Sequence, residues 1–180
     1  VSQPSTSASS VNMGNAVTIY TNRVSTATTH TLLYTFGNTS GTIATSVGAS
    51  VNWTPPLTLA SQIPSATSGT CTITCQSYIG GTLTGTRTCT LTLNVPSTVV
   101  PSISSVTVED TNSTVATRIQ AYVRSLSTLS VEITAAGSYG STVSSYRTSL
   151  DGVTYTAASF TASKKLSTAG NLALTVTVTD

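Results

Sequence analysis

The sequence predicts an all-β chain of two tandem immunoglobulin-like β-sandwich domains. Three observations carry that prediction. Charged residues are only 7% of the 180, against about 25% in an ordinary globular domain. Ser and Thr together exceed a third of the chain. Alongside Val and Tyr they suit pleated strands better than helices or disorder. Short runs alternate apolar with polar residues between Gly, Pro and Asn turn signals, in two blocks of roughly 85 residues each. Neither block has the Cys–Trp–Cys arrangement of an antibody domain, so the term denotes sandwich architecture only.

Residues 1–14 are small and polar and read as a linker or flexible start. The first sandwich spans 15–96. Val17 and Ile19 begin its alternation, and HTLLYTF at 30–36 runs into the turn signal Gly37-Asn38. Residues 41–47 and 51–53 are short strands, after which Pro55-Pro56 breaks the pattern. LASQIP at 59–64 reads as one helical turn ended by Pro64. The clearest pair is a hairpin of CTITCQSY at 71–78 and TLTGTRTCTLTLNV at 82–95, joined through Ile79-Gly80-Gly81. In register around Gly80, Cys71 lies near Cys89. Cys71, Ile73 and Cys75 face inward, as do Leu83, Cys89, Leu91, Leu93 and Val95, while threonines take the solvent side. Arg87 falls on the inward phase, near a sheet edge where its stem reaches water.

PSTVVP at 96–101 marks the boundary, with 97–101 a short Pro-flanked linker. The second sandwich spans 102–180. Ile103, Val106 and Val108 open it, and Leu129, Val131, Ile133 and Ala135 alternate cleanly. Gly137 and Gly140 mark a turn. Residues 143–150 form a strand, and Asp151-Gly152 is a tight-turn signal before Val153 and Tyr155. Leu172, Leu174, Val176 and Val178 make the last alternating run. No apolar strand follows to pair with it, which leaves an open edge. The natural protein is expected to continue past Asp180 with a further strand, or a neighbouring chain to supply one, so that the second sandwich is truncated here. The plainer alternative is that 172–179 is already the last strand.

Composition also limits function. A net charge of +2, from seven basic and five acidic residues, gives no basic density to track nucleic acid. No apolar run reaches the ~18–20 residues of a membrane span. The acids are Glu109, Asp110, Glu132, Asp151 and Asp180. The first sandwich therefore lacks carboxylates for acid–base work, sugar cleavage or a hard-cation cage. His30 is the only histidine, with no acid in its own sandwich to orient it in a Ser-His-Asp relay. The second sandwich has neither His nor Cys. The chain is expected not to be an enzyme and to need no cofactor. Cys71, Cys75 and Cys89 read first as small apolar core side chains. One disulfide, or a metal site with His30 as fourth ligand, are the alternatives.

Five stretches resemble a known family: TLLYTFGNTSGTIA (31–44), VNWTPPLTLASQIPSATSGTCTITCQSY (51–78), TLTLNVPSTVVPSISSVTV (90–108), ITAAGSYGSTVSSYRTSLDG (133–152) and NLALTVTVTD (171–180). They are similar to the minor structural, tail-fibre or baseplate proteins of long-tailed phages of Gram-positive bacteria. The resemblance implies a non-enzymatic virion module made of immunoglobulin-like spacers. It implies other tail proteins as partners, assembly as a homo-oligomer or within a larger complex, and contact with host cell-surface polysaccharide. It also implies a further strand after TVTVTD. The competing readings are a carbohydrate-binding module for cell-wall glycan and a bacterial surface adhesin or stalk domain.

Trp53 is expected to fill the core beneath the Pro55-Pro56 turn. The functional alternative makes it a sugar-stacking platform, with Tyr139 and Tyr146 as further glycan contacts. His30 is read as a satisfied structural histidine and Asp151 as a turn-shaping residue. Lys164-Lys165 reads as a solvated loop. Glu109 and Asp110, adjacent at a strand end, point to opposite faces and make a poor cation site. Asn-x-Ser/Thr triplets begin at Asn38, Asn52 and Asn112, and are accidental in a bacterial virus.

Overall fold

The computed structural model describes residues 1–118, 121–163, 165–168 and 171–180. The chain divides into two compact units, Val1–Val99 and Val100–Asp180.

The first unit holds β1 (Ser5–Thr6), β2 (Ser10–Asn12), β3 (Val17–Tyr20), β4 (Thr28–Phe36), β5 (Thr39–Val47), β6 (Ser50–Trp53), β7 (Ser68–Ile79) and β8 (Thr82–Asn94). One sheet has the order β2-β8-β7-β4-β5 and the other β1-β3-β6. The alternation read from sequence turns one face of each sheet to a shared core. Val17, Ile19 and Trp53 come from the smaller sheet, and Leu32, Phe36, Ile73, Leu91 and Leu93 from the larger. A 3₁₀ turn at Leu57–Gln62 buries Leu59.

The linker expected at residues 1–14 is instead part of this unit. β1 pairs antiparallel with β3, and β2 pairs parallel with β8. Ser2 donates its backbone N–H to Ser77 Oγ at 3.1 Å, and Met13 is fully buried. A polar segment joins a sheet through its backbone, so side-chain polarity alone misjudged it. Gly85, at φ +154, lets this segment close: a Cβ there would stand 2.5 Å from the Val1 side chain.

The 71–95 hairpin forms, but not in the expected register. Its turn is the two residues Gly80-Gly81, both at positive φ, as a twisted two-residue hairpin requires. Ser77 faces Gly85 while Tyr78 faces Leu83, so Thr84 is bulged. Cys71 therefore sits opposite Leu91, and Cys89 opposite Ile73. The bulge also inverts the phase of Leu83, which is exposed rather than inward. All three thiols are free, so the disulfide alternative does not hold. Arg87 is opposite Cys75 and exposed, beyond the stretch of β8 that β2 covers.

The second unit holds β9 (Ser102–Asp110), α1 (Ser113–Arg118), β10 (Leu129–Ala136), β11 (Ser145–Leu150), β12 (Val153–Tyr155), β13 (Ser159–Thr161) and β14 (Leu174–Thr179). Its sheets run β13-β10-β9 and β12-β11-β14. Leu129, Val131 and Ile133 of β10 meet Leu150 of β11 in a separate core, with Leu166 beside them. Tyr155 stacks on Phe160 at 4.1 Å. Asp151-Gly152 makes the predicted tight turn, both residues at positive φ. β13 and α1 were not expected. Asn112 starts α1 by accepting the Thr114 N–H on its side-chain oxygen at 3.1 Å, an N-cap. Asn112 thus has a structural task inside its Asn-x-Thr triplet. Lys164 lies outside the described residues, and Lys165 is exposed.

Candidate functional site

Two adjoining hollows lie in the second unit, where residues 121–124 pass the C-terminal end of β9. One hollow of about 750 Å³ is lined by Val108, Tyr122, Leu129, Leu150, Leu166 and Leu172 among others. A second, of about 460 Å³, shares Ala121 and Tyr122 and adds Glu109, Asp110 and Ala116. Both fall in the size range of small-ligand pockets. The Tyr122 hydroxyl donates to the Val108 carbonyl at 3.0 Å. That bond pins the ring between the hollows while leaving it 48% exposed. Asp110 Oδ1 accepts the Asn112 N–H at 2.9 Å, which shapes the entry to α1. Glu109 is exposed. The lining suits an apolar group with one aromatic contact.

The other acids of this unit with resolved partners also act as structural acceptors. Asp151 accepts from the Ser167 N–H at 2.7 Å and the Ser167 hydroxyl at 2.9 Å. The Thr168 hydroxyl donates to its other oxygen. The Thr168 and Ser167 donors hold its carboxyl down from an ordinary 3.8 to about 2. Asp180 accepts from the Ser138 N–H at 2.6 Å and the Ser141 hydroxyl at 2.8 Å, and the Ser138 bond lowers its pKa. These bonds hold the turn that carries Tyr139, whose φ of +49 is unusual for an aromatic residue.

In the first unit His30 is fully buried. Its Nδ1 lies 3.0 Å from the Val47 carbonyl oxygen and its Nε2 2.8 Å from Ser2 Oγ. A carbonyl only accepts, so Nδ1 carries the hydrogen and the Ser2 hydroxyl donates to Nε2. This Ser–His contact resembles half a catalytic relay, but both residues are shut from solvent, Ser2 at 5% exposure. A backbone carbonyl stands where a relay has its acid. Sequence reasoning missed Ser2 because residues 1–14 were read as flexible. Cys71 and Cys75 are pushed up to about 11 by burial, and burial also raises Cys89. Such thiols are poor nucleophiles at neutral pH. No group of three or more His, Cys, Asp or Glu among the described residues is placed to hold a metal. No helix among them is long and apolar enough to cross a membrane.

The three expected glycan contacts fare differently. Trp53 is 8% exposed and stacks on Tyr34, ring centres 5.2 Å apart. It is a core residue of the first unit, and the sugar-platform reading fails for it. Tyr146 is half-buried against the second core. Tyr139 alone presents a largely open ring, 48% exposed. Tyr122, not singled out in the sequence, is the aromatic that lines a hollow. Its signal was a Tyr in a segment without strand alternation.

Residues 2–180 match the family described as siphovirus protein of unknown function (DUF859). The chain belongs to that family. It is therefore a phage protein. Among curated proteins none matches the sequence of this siphovirus chain. Among solved structures it is similar to the fibronectin(III)-like modules of Clostridium thermocellum CbhA. That likeness has 13% identity, covers 98% of this chain and 85% of the other, and has a TM-score of 0.30.

Proposed function

We propose that this siphovirus protein is a non-enzymatic structural module of the phage tail, in a fibre, tail tip or baseplate. It acts as a rigid spacer built of immunoglobulin-like sandwiches, and contributes to attachment at a Gram-positive host surface. Family membership over residues 2–180 is the observation that carries the reading. The side-chain chemistry supports it: the lowered carboxylates tie turns together, His30 is buried, and the thiols are suppressed. Long strands with threonine on the open face give a hydrated surface with little charge. Its partners are other tail proteins and further copies of the chain, and it resides in the virion. Burial of Trp53 weighs against a glycan-binding module, and the phage family against a bacterial adhesin.

The test is antibody labelling of purified particles, with mass spectrometry of the same preparation. The chain is expected in intact virions, with label on the tail. Its absence from purified particles, together with presence in the infected cell, overturns the reading.

A further inference from the structure

Outer strands expose unpaired backbone groups and usually carry devices that prevent pairing with another chain. Three outer strands here exceed four residues: β5, β9 and β14. β5 meets β4 through two irregularities, at His30/Leu32 and Leu32/Leu33. β9 ends in Glu109 and Asp110 and is kinked opposite Thr134/Ala135. The uncovered stretch of β8 has the Thr84 bulge and Arg87. β14 has none of these. It reads LTVTVT, without charge, Pro or Gly, and pairs with β11 over six residues in unbroken register. Among the described strands its only partner is β11.

We propose that β14 pairs antiparallel with β14 of a second copy, joining two three-stranded sheets into one of six strands. This specifies the self-contact of the reading above and rests on its homo-oligomeric part alone, not on location in the tail. The sequence of the strand argues for a copy of itself as the occupant. Directly opposed residues in an antiparallel pair share a face. Any two-fold register that keeps the pleat in phase sets Leu174, Val176 and Val178 against one another, and Thr175, Thr177 and Thr179 likewise. The first three are half-buried toward the core and the last three exposed, so both faces of the joined sheet match across the seam. A two-fold contact needs such self-complementarity. Charge does not oppose it. The one charged residue of β11, Arg147, stands opposite Thr177. Its image lies three strand spacings away, about 14 Å at ~4.8 Å each, beyond the ~8 Å screening length of physiological salt. The Asp180 carboxylate is occupied by Ser138 and Ser141 of its own chain.

The test is sedimentation of the 180-residue chain over a range of about 1–100 μM, with the charge pairs T175D/T177D and T175K/T177K. Both positions are exposed, so the fold is retained, as circular dichroism will verify. Every in-phase register that pairs more than three residues of β14 opposes at least one introduced charge to its like. A concentration-dependent dimer is expected for the parent chain. Each charged variant should dimerise roughly tenfold more weakly or not at all, since like charges opposed across strands are destabilising. An equimolar mixture of the two should recover dimers. A parent chain that stays monomeric overturns the proposal. So does a dimer unaffected by the charge pairs, or a mixture that fails to recover. A dimeric chain missing from virions would sink the tail reading and leave this contact standing.

Discussion

At the scale of single residues, a carboxylate and an aromatic ring both serve structure, the one at a turn and the other in a core. Asp151 gathers three donors from Ser167 and Thr168, and its pKa falls to about 2. A carboxyl lowered on folding stabilises the fold above its unfolded pKa, and that contribution is lost as pH falls through the folded value. The Asp151 contribution is therefore complete above pH 3.8 and fades toward pH 2. Asp151→Asn should lower the melting temperature slightly at pH 7 and flatten its dependence between those limits, as a series of thermal melts will read. The side chain is exposed, so solvent screening keeps the effect small. Trp53 makes the opposite case. Truncation to Ala empties a packed site against Tyr34 and should cost about 3–5 kcal/mol, measured by urea unfolding of the whole chain. A variant of near-parental stability would show that the ring is not part of the core.

At the scale of elements, the two surprises have backbone causes. Deleting residues 1–14 removes β1, β2, the buried Met13 and the Ser2 contacts to His30 and Ser77. Loss of a buried Met side chain alone is worth about 2–5 kcal/mol, so the shortened chain should melt well below the parent in calorimetry. An unchanged transition would restore the flexible-start reading. Asn112→Ala removes the cap of α1 and should cost about 1 kcal/mol. The amide protons of 113–117 should then exchange faster, and the wall that Ala116 gives the smaller hollow should loosen. The alternating strands were legible because burial imposes a period of two on their side chains: Cys71, Ile73 and Cys75, or Leu129, Val131 and Ile133, could hardly be anything else. The Thr84 bulge was not, because one inserted residue changes no composition and yet moves every partner beyond it. β1 and β2 were hidden for a related reason, since their places are set by ladder bonds and carry no apolar signature. The hollows were illegible as well: Tyr122, Leu166 and Leu172 meet only through three-dimensional packing.

At the scale of the whole chain, each unit has a hydrophobic core of its own, and the acidic residues are all in the second, from Glu109 onward. The low charge of the sequence is thus unevenly shared, and the two units should answer acid differently. Trp53 is the sole tryptophan, so its fluorescence follows the first unit, while circular dichroism follows both. Between pH 4 and 2 the first unit has no carboxylate to protonate. The second loses what its lowered carboxyls contribute, Asp151 first among them at about 2, with Asp180 lowered in the same sense. Because a depressed carboxyl stabilises only while ionised, acid weakens the second unit and leaves the carboxylate term of the first at zero. Urea unfolding watched by fluorescence should keep its midpoint across this window. The dichroism curve should split, its second component moving to lower urea as the pH falls. Leu32→Ala, in the first core, should shift the fluorescence transition alone. A single transition that moves as one by both probes at every pH would mean that the two cores unfold as a cooperative whole.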